Sequence, residues 1–293
     1  MPNLKEIRTR ITSIQSTQKI TSAMKLVSAA KLRHAQTDII NLRPYSEKLN
    51  KILCHLSDSL GCSSGNLLFA QRPPKNVMLI AFASNRGLCG VFNSNIIKEI
   101  DRIINEKYKK QQQDGTLKLI CFGKKAAEQL QKNYEIICVN ESLIENPHFD
   151  EVDKIATGLM NDFIHRKIDK IEIIYNRFMN PATQIITAEN YLPITKMEIK
   201  SSKKIMYADF IFQPSQEEIV SELVPKILKL QLYKALLDSI ASEHGARMTS
   251  MAKATDNAVE MLRELRLKYN NARQATITNE LNEIVCGAEA LKN

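Results

Sequence analysis

Four polar residues near the end of the chain, Arg273, Gln274, Thr278 and Glu280, fall within about two helical turns of Tyr269–Glu280. Together they offer a guanidinium, an amide, a hydroxyl and a carboxylate, groups that hydrogen-bond and ion-pair with another chain. They supply no nucleophile with an adjacent base. The simpler alternative is a solvated helix face. Beyond them Ile277, Leu281, Ile284, Val285, Ala288 and Leu291 form an apolar tip, with Cys286 beside it. An exposed apolar helix end calls for a protein collar.

A second chemical candidate is the loop Ser84-Asn85-Arg86-Gly87-Leu88-Cys89-Gly90-Val91-Phe92-Asn93, which follows an apolar strand. Gly87 and Gly90 permit tight turning, and the helix start behind them could attract an anion. The loop lacks G-x-G-x-x-G, and the chain has no G-x-x-x-x-G-K-[ST], so a βα turn that needs glycine is the simpler reading. His34, His55, His148, His165 and His244 occur singly, outside any HExxH setting. Asp150, Glu151 and Asp153 open a helix, where acids complement the dipole. Cys54, Cys62, Cys89, Cys121, Cys138 and Cys286 are scattered without ligand spacing, and most sit in apolar contexts such as LICFG and EIICVN. They are expected to be reduced, buried thiols. No catalytic residue, cofactor or metal is expected.

The elements that must position these residues are long helices around an α/β block. From Leu237 to Thr276 an apolar or small residue recurs in steps of four and three: Leu237, Ala241, His244, Met248, Met251, Thr255, Ala258, Leu262, Leu265, Tyr269, Ala272, Thr276. A spacing averaging 3.5 residues is a helix seam that winds on a partner. The helix is expected from the Ser215 region, where Ser215 and Glu218 suit a capping box, to about Val285. Some 70 residues at about 1.5 Å each reach on the order of 100 Å, too long for a compact domain.

A partner seam lies at the other end. Leu4, Ile7, Ile11 and Ile14 begin it, and a phase shift is expected to carry it on through Ile20, Met24 and Val27. The polar stretch Gln15-Ser16-Thr17-Gln18 reads either as a stutter or as a surface facing something polar. Pro44 is expected to kink or reset this helix. Residues 1–60 hold ten Lys/Arg against four acids, so +6 of the net +9 lies there. Basic helices suit nucleic acid, anionic lipid or an acidic protein, but without interleaved aromatics nucleic acid is disfavoured. The start MPNLKEIRTRITSIQ has no apolar h-region, and no apolar run approaches the roughly 18 to 20 residues that span a bilayer.

Between the helices the periodicity alternates. Strands are expected at Val77–Ser84, Leu117–Phe122, Glu135–Val139, Lys170–Phe178 and Gln184–Tyr191, the last antiparallel. Helices are expected at Asn93–Gln112, Lys124–Lys132 and Asp150–Arg166. This order implies an open, mostly parallel sheet with helices on both faces. The fold class is thus α/β plus a long antiparallel coiled coil, the terminal helices pairing around an inserted Rossmann-like domain. The divisions are an N-terminal helix over 1–60, a linker over 61–75, the α/β domain over 76–195, a linker over 196–214 and a C-terminal helix over 215–293.

Several long motifs resemble the gamma subunit of F-type ATP synthases: Ile7–Gln36 (IRTRITSIQSTQKITSAMKLVSAAKLRHAQ), Ser84–Asn93, Ser242–Ala258 (SEHGARMTSMAKATDNA) and Tyr269–Leu291. The resemblance covers nearly the whole chain. It implies a non-catalytic central rotor shaft, whose paired helices enter a ring of three alpha and three beta subunits while the α/β part touches the epsilon subunit and the c-ring. It further implies peripheral attachment at the cytoplasmic face of a bacterial inner membrane, and proton-driven rotation coupled to ATP synthesis at the beta subunits. Carried over by motif, Arg273, Gln274, Thr278 and Glu280 resemble contacts to the beta catch loop, with Arg247 on the same shaft. Met24 and Lys25 stand where the family's N-terminal helix faces the beta lever region. Many relatives have an acid after that methionine, where this chain has Lys25. The insertion that carries a redox cysteine pair in chloroplast-type relatives is not found.

Three rival readings are an oxidoreductase or nucleotide-binding enzyme built on the α/β block, a coiled-coil adaptor that binds nucleic acid through its basic N-terminal helix, and a gamma-like coiled-coil paralogue working outside the synthase.

Overall fold

The computed structural model describes residues 4–60, 67–194 and 216–290. Ser215 of the expected capping box, the expected linker 196–214 and Leu291 lie outside the described residues. The chain groups into two compact units, Ala30–Ala246 and Met1–Ala29 with Arg247–Asn293.

The unit Ala30–Ala246 is built on five strands, β1 Val77–Phe82, β2 Leu117–Phe122, β3 Ile136–Asn140, β4 Lys170–Asn180 and β5 Thr183–Leu192. Their order across the sheet is β3-β2-β1-β4-β5. β1 is central because VMLIAF is apolar at every position, as a strand covered on both faces requires, and all six residues are buried. It pairs in parallel with β2 (Val77↔Leu117) and β4 (Val77↔Lys170). β5 returns antiparallel, with Ile173 opposite Glu189.

The helices are α1 Leu4–Leu60, α2 Phe92–Lys107, α3 Lys109–Gln113, α4 Lys124–Leu130, α5 Ser142–Glu145, α6 Phe149–Ile164 and α7 Gln216–Ala290. α2 and α4 close one face of the sheet. Ile96, Ile100 and Ile104 at helical spacing meet Leu79, Ala81, Leu119 and Cys121. Each of the three isoleucines is fully buried, a gain of roughly 1.5–3 kcal/mol apiece. The chain steps outward from β1 to β3 and then doubles back to β4, so right-handed crossovers place α6 on the opposite face. On that face Phe82 and Phe122 stack at 4.6 Å.

The expected single helix Asn93–Gln112 breaks at Tyr108, which leaves helical geometry at φ −124°. Its hydroxyl donates to Glu172 Oε1 at 2.6 Å, and Lys170 Nζ lies 2.8 Å from the same oxygen. A carboxylate that is 4% exposed needs such donors, and that tertiary demand overrides helix propensity. Pro44 does not end α1, which runs through it.

In the unit formed by Met1–Ala29 and Arg247–Asn293, α1 and α7 pack side by side. Thr21 meets Thr255, while Gln18 shares a groove with Leu262 and Asn270, so positions fall along α1 as they rise along α7. The pairing is antiparallel, as expected. Met251, Ala258 and Leu262 are buried where the seam places them.

The seam of α1 departs from the expectation. Ile20 and Val27 are 60% and 58% exposed, whereas Ile7, Thr21 and Ser28 are buried and Ile11, Ile14 and Gln18 are half-buried. No phase shift occurs. The 3.5-residue rhythm continues through polar positions, and Ser16 and Thr17 turn their hydroxyls back to Thr12 O and Ser13 O.

Candidate functional site

Two places could carry function, the carboxyl end of the sheet and the last stretch of α7. In open α/β sheets, ligands enter where strand order reverses, here beyond the ends of β1 and β4. That crevice is filled by the chain itself. Ser239 Oγ donates to Phe82 O at 3.3 Å, and Ser242 Oγ donates to Asn176 O at 2.8 Å. Every residue of α7 from Ala235 to Ala246 is buried, including Asp238, Glu243 and His244. Gly245 lets the helix pass closely, since a Cβ there would stand 3.2 Å from Pro181 Cα.

The loop from Ser84 to Asn93 is tied down from within. Asn93 Oδ1 accepts from Ser84 N at 3.1 Å, its amide donates to Ser84 Oγ at 2.7 Å, and Ser84 Oγ donates to Arg86 O at 2.8 Å. Asn85 links the neighbouring loops, donating to Glu141 O and accepting from Lys124 N. Positive φ falls on Leu88 and Gly90, with none at Gly87. At the end of β2, Gly123 has φ 101°, and a Cβ there would run into the Ala83 carbonyl.

Several buried groups of this unit are shifted away from ionisation. Burial pushes the Cys121 thiol up to about 12, with Cys138 adding to the shift. Burial likewise raises Tyr108, Tyr175 and Tyr191, the first two also hydrogen-bonded to Glu172 and Glu189. A buried thiol whose pKa is raised is an unreactive packing group. Cys89 and Cys121 are buried as expected, but Cys138 and Cys286 are exposed, because β3 is an edge strand and α7 is open around Cys286.

On α7 the half-buried seam positions end with Leu265, Tyr269 and Ala272, and Thr276 is exposed against expectation. The reason is the register. Counting 17 residues back from Thr21 and 17 on from Thr255 sets Leu4 opposite Ala272, so α1 begins where the seam stops. Every residue from Arg273 to Ala288 is exposed. Arg273, Gln274, Thr278 and Glu280 therefore share one open stretch, with Thr278 Oγ1 donating back to Gln274 O at 2.9 Å. Ile277, Leu281, Ile284 and Val285 are 47%, 57%, 67% and 56% exposed. Met24 is half-buried and Lys25 exposed, while Arg247 is only 8% exposed.

Sequence reasoning missed the groove lined by Gln18, Val259, Leu262, Arg263, Arg266, Leu267 and Asn270. The unbroken α1 rhythm, which places Gln18 in the seam, was its signal.

The sequence model of a family described as ATP synthase matches residues 3–291. The ATP synthase gamma chain of Cytophaga hutchinsonii is 50% identical over 295 residues, covering all of both chains. That of Flavobacterium psychrophilum is 52% identical over 292 residues, again covering all of both. The chain belongs to the ATP synthase gamma-chain family. Its role is that of a central-stalk subunit. Among solved structures, a chain of the Euglena gracilis mitochondrial ATP synthase OSCP/F1/c-ring assembly has a TM-score of 0.66 at 19% identity, over 98% of this chain and 94% of the other. A chain of the rotor of that synthase gives 0.61 at 18% identity, over 94% and 98%. At that identity the likeness concerns the fold, long terminal helices around a mostly parallel sheet.

Proposed function

We propose that this gamma-family chain is the rotating shaft of a proton-driven synthase and performs no catalysis itself. The observation that carries the reading is the run Arg273–Ala288, exposed on every side of α7 beyond the start of α1. Ile277, Leu281, Ile284 and Val285 recur at helical spacing, and a collar of alpha and beta subunits would cover them. Below them Arg273, Gln274, Thr278 and Glu280 would meet the beta subunits, with Met24 and Lys25 engaging a second beta region. Arg247, largely covered by its own chain, would act there chiefly by holding the helices in place.

A shaft alters catalytic sites that it does not contain if each orientation favours some site conformations over others. Two unequal helices of different composition supply the asymmetry. Three alpha and three beta subunits, an epsilon subunit and the c-ring complete the assembly, at the cytoplasmic face of the inner membrane. Among the described residues no helix is long and apolar enough to cross a membrane, so attachment would run through the c-ring.

The test is ATP synthesis by complexes carrying Arg273→Ala or Gln274→Ala. Turnover should fall while assembly persists. Unchanged synthesis in both would remove the contact assignment.

A further inference from the structure

β1, β2 and β4 start level with one another, Val77 beside Leu117 and Lys170, so α2 and α6 run back and finish at that same end of the sheet. The connecting segments are stitched together there. Gln111 Nε2 donates to Pro74 O at 2.8 Å, Val77 N donates to Thr116 O, and Asp169 Oδ2 accepts from Lys75 N and Asn76 N. On this base stand six exposed cations, Lys75, Lys107, Lys109, Lys110, Lys132 and Arg166. Among the described residues none of the six has an ion-pair partner, whereas the neighbouring Lys118, Lys167 and Lys170 hold Glu135, Asp162 and Glu172. Asp114 and Asp169 oppose them. Helix dipoles account for only part of the excess, since the carboxyl ends of α2, α4 and α6 carry about half a negative charge each. At the other end of the sheet the balance reverses, with Glu141, Glu145, Asp150 and Glu151 all exposed.

The composition of the base selects its occupant. Protein interfaces are poor in lysine and are anchored by buried aromatic or aliphatic side chains. Here lysine dominates, and the large apolar side chains exposed beside it are Leu67 and Ile164. Single-stranded nucleic acid is held by stacking aromatics, and Tyr108 at this end is buried. Lysine point charges suit the phosphate headgroups of a bilayer surface, where each is worth roughly fivefold in partitioning. We infer that this base docks electrostatically on anionic phospholipid headgroups of the membrane beside the c-ring, without entering the hydrocarbon. This rests on the reading of the chain as a stalk subunit held at a membrane, and adds a lipid contact to it.

The test is flotation of the full-length chain with phosphatidylcholine vesicles, with and without phosphatidylglycerol. The wild type should bind only the anionic vesicles and should leave them at high salt. A variant combining Lys75→Gln, Lys109→Gln and Lys110→Gln should bind at least about tenfold more weakly. A control combining Arg8→Gln, Arg10→Gln and Lys19→Gln removes the same charge from α1 and should change binding by less than about threefold. Both variants should melt with the wild type, since all these side chains are exposed. Equal binding to both vesicle types, no binding to either, or the same loss in both variants would overturn the proposal. In lipid-free complexes weighed by native mass spectrometry, the base variant should keep every subunit. A subunit lost there would show that the base meets protein, and would overturn the choice of lipid. Recovery of the wild-type chain without other subunits, with vesicle binding intact, would instead sink the stalk role and the placement beside the c-ring.

Discussion

Thr255 donates its hydroxyl hydrogen to Thr21 Oγ1 across 2.8 Å, and Thr21 donates in turn to Gln18 O at 3.0 Å. This relay joins α1 and α7 at a seam position where an apolar pair would also fit. The Thr255 hydroxyl has a local alternative, since Met251 O lies 2.8 Å away. A partly buried polar pair of this kind fixes register more than it adds stability.

Replacing both threonines with valine should therefore be close to neutral, because no buried hydroxyl is left without a partner. The two single substitutions should each cost about 0.5 kcal/mol, with a coupling of about 1 kcal/mol in a double-mutant cycle. Denaturant unfolding of the four proteins checks this. Additive single and double values would mean that the relay contributes nothing.

Asp238 gives a pH dependence whose sign can be worked out. Burial pushes its carboxyl from 3.8 up to about 6, against the attraction of Lys234, Arg177 and Arg43 and with reinforcement from Glu189. The fold thus favours the protonated acid. Stability from this group is fully present below the unfolded pKa, falls as pH rises from about 4 to about 6, and then levels off at about 3 kcal/mol less. Asp238→Asn should flatten that part of the stability–pH curve and leave the protein more stable than wild type at pH 7–8. Equal curves for the two proteins would count against it.

The glycines divide by geometry. Gly123→Ala places a methyl against the Ala83 carbonyl in a backbone region that alanine avoids, and should cost on the order of 3 kcal/mol or more in thermal unfolding. Gly87→Ala has open space and should change stability by less than about 1 kcal/mol. A mild Gly123→Ala would contradict the close approach of β1 and β2 at that turn.

Legibility from sequence varied with how local the determining physics is. The α7 seam was readable because Met251, Ala258 and Leu262 are apolar or small residues at regular spacing, and they are buried. On α1 the apolar residues misled. Ile20 and Val27 drew the expected seam off its true line, while Gln18, Thr21 and Ser28 keep the spacing and face the partner helix. Spacing outweighs side-chain polarity where a neighbouring hydroxyl can satisfy the polar group. The strands were placed to within about two residues, since βαβ patterning is local. The break at Tyr108 and the filling of the strand-end crevice by Ser239 and Ser242 depend on residues far apart in sequence. The same holds for Leu88: of the two glycines expected to turn this loop, Gly90 has positive φ, but the other positive φ falls on Leu88 and not on Gly87.

A proline at Met251 probes the helix pair as a whole. Interior proline costs about 3 kcal/mol or more, and at a buried seam position it also separates the two helices. Met251→Pro should abolish assembly into the synthase, as gel filtration of the purified complex would show. Normal assembly would contradict the continuous α7 seam.

The most direct test of the shaft role is native mass spectrometry of an affinity-tagged copy purified from its own cells. A complex of three alpha subunits, three beta subunits and one copy of this chain, active as an ATPase, is the predicted result. Recovery of the chain alone, or with proteins unrelated to the synthase, would contradict it.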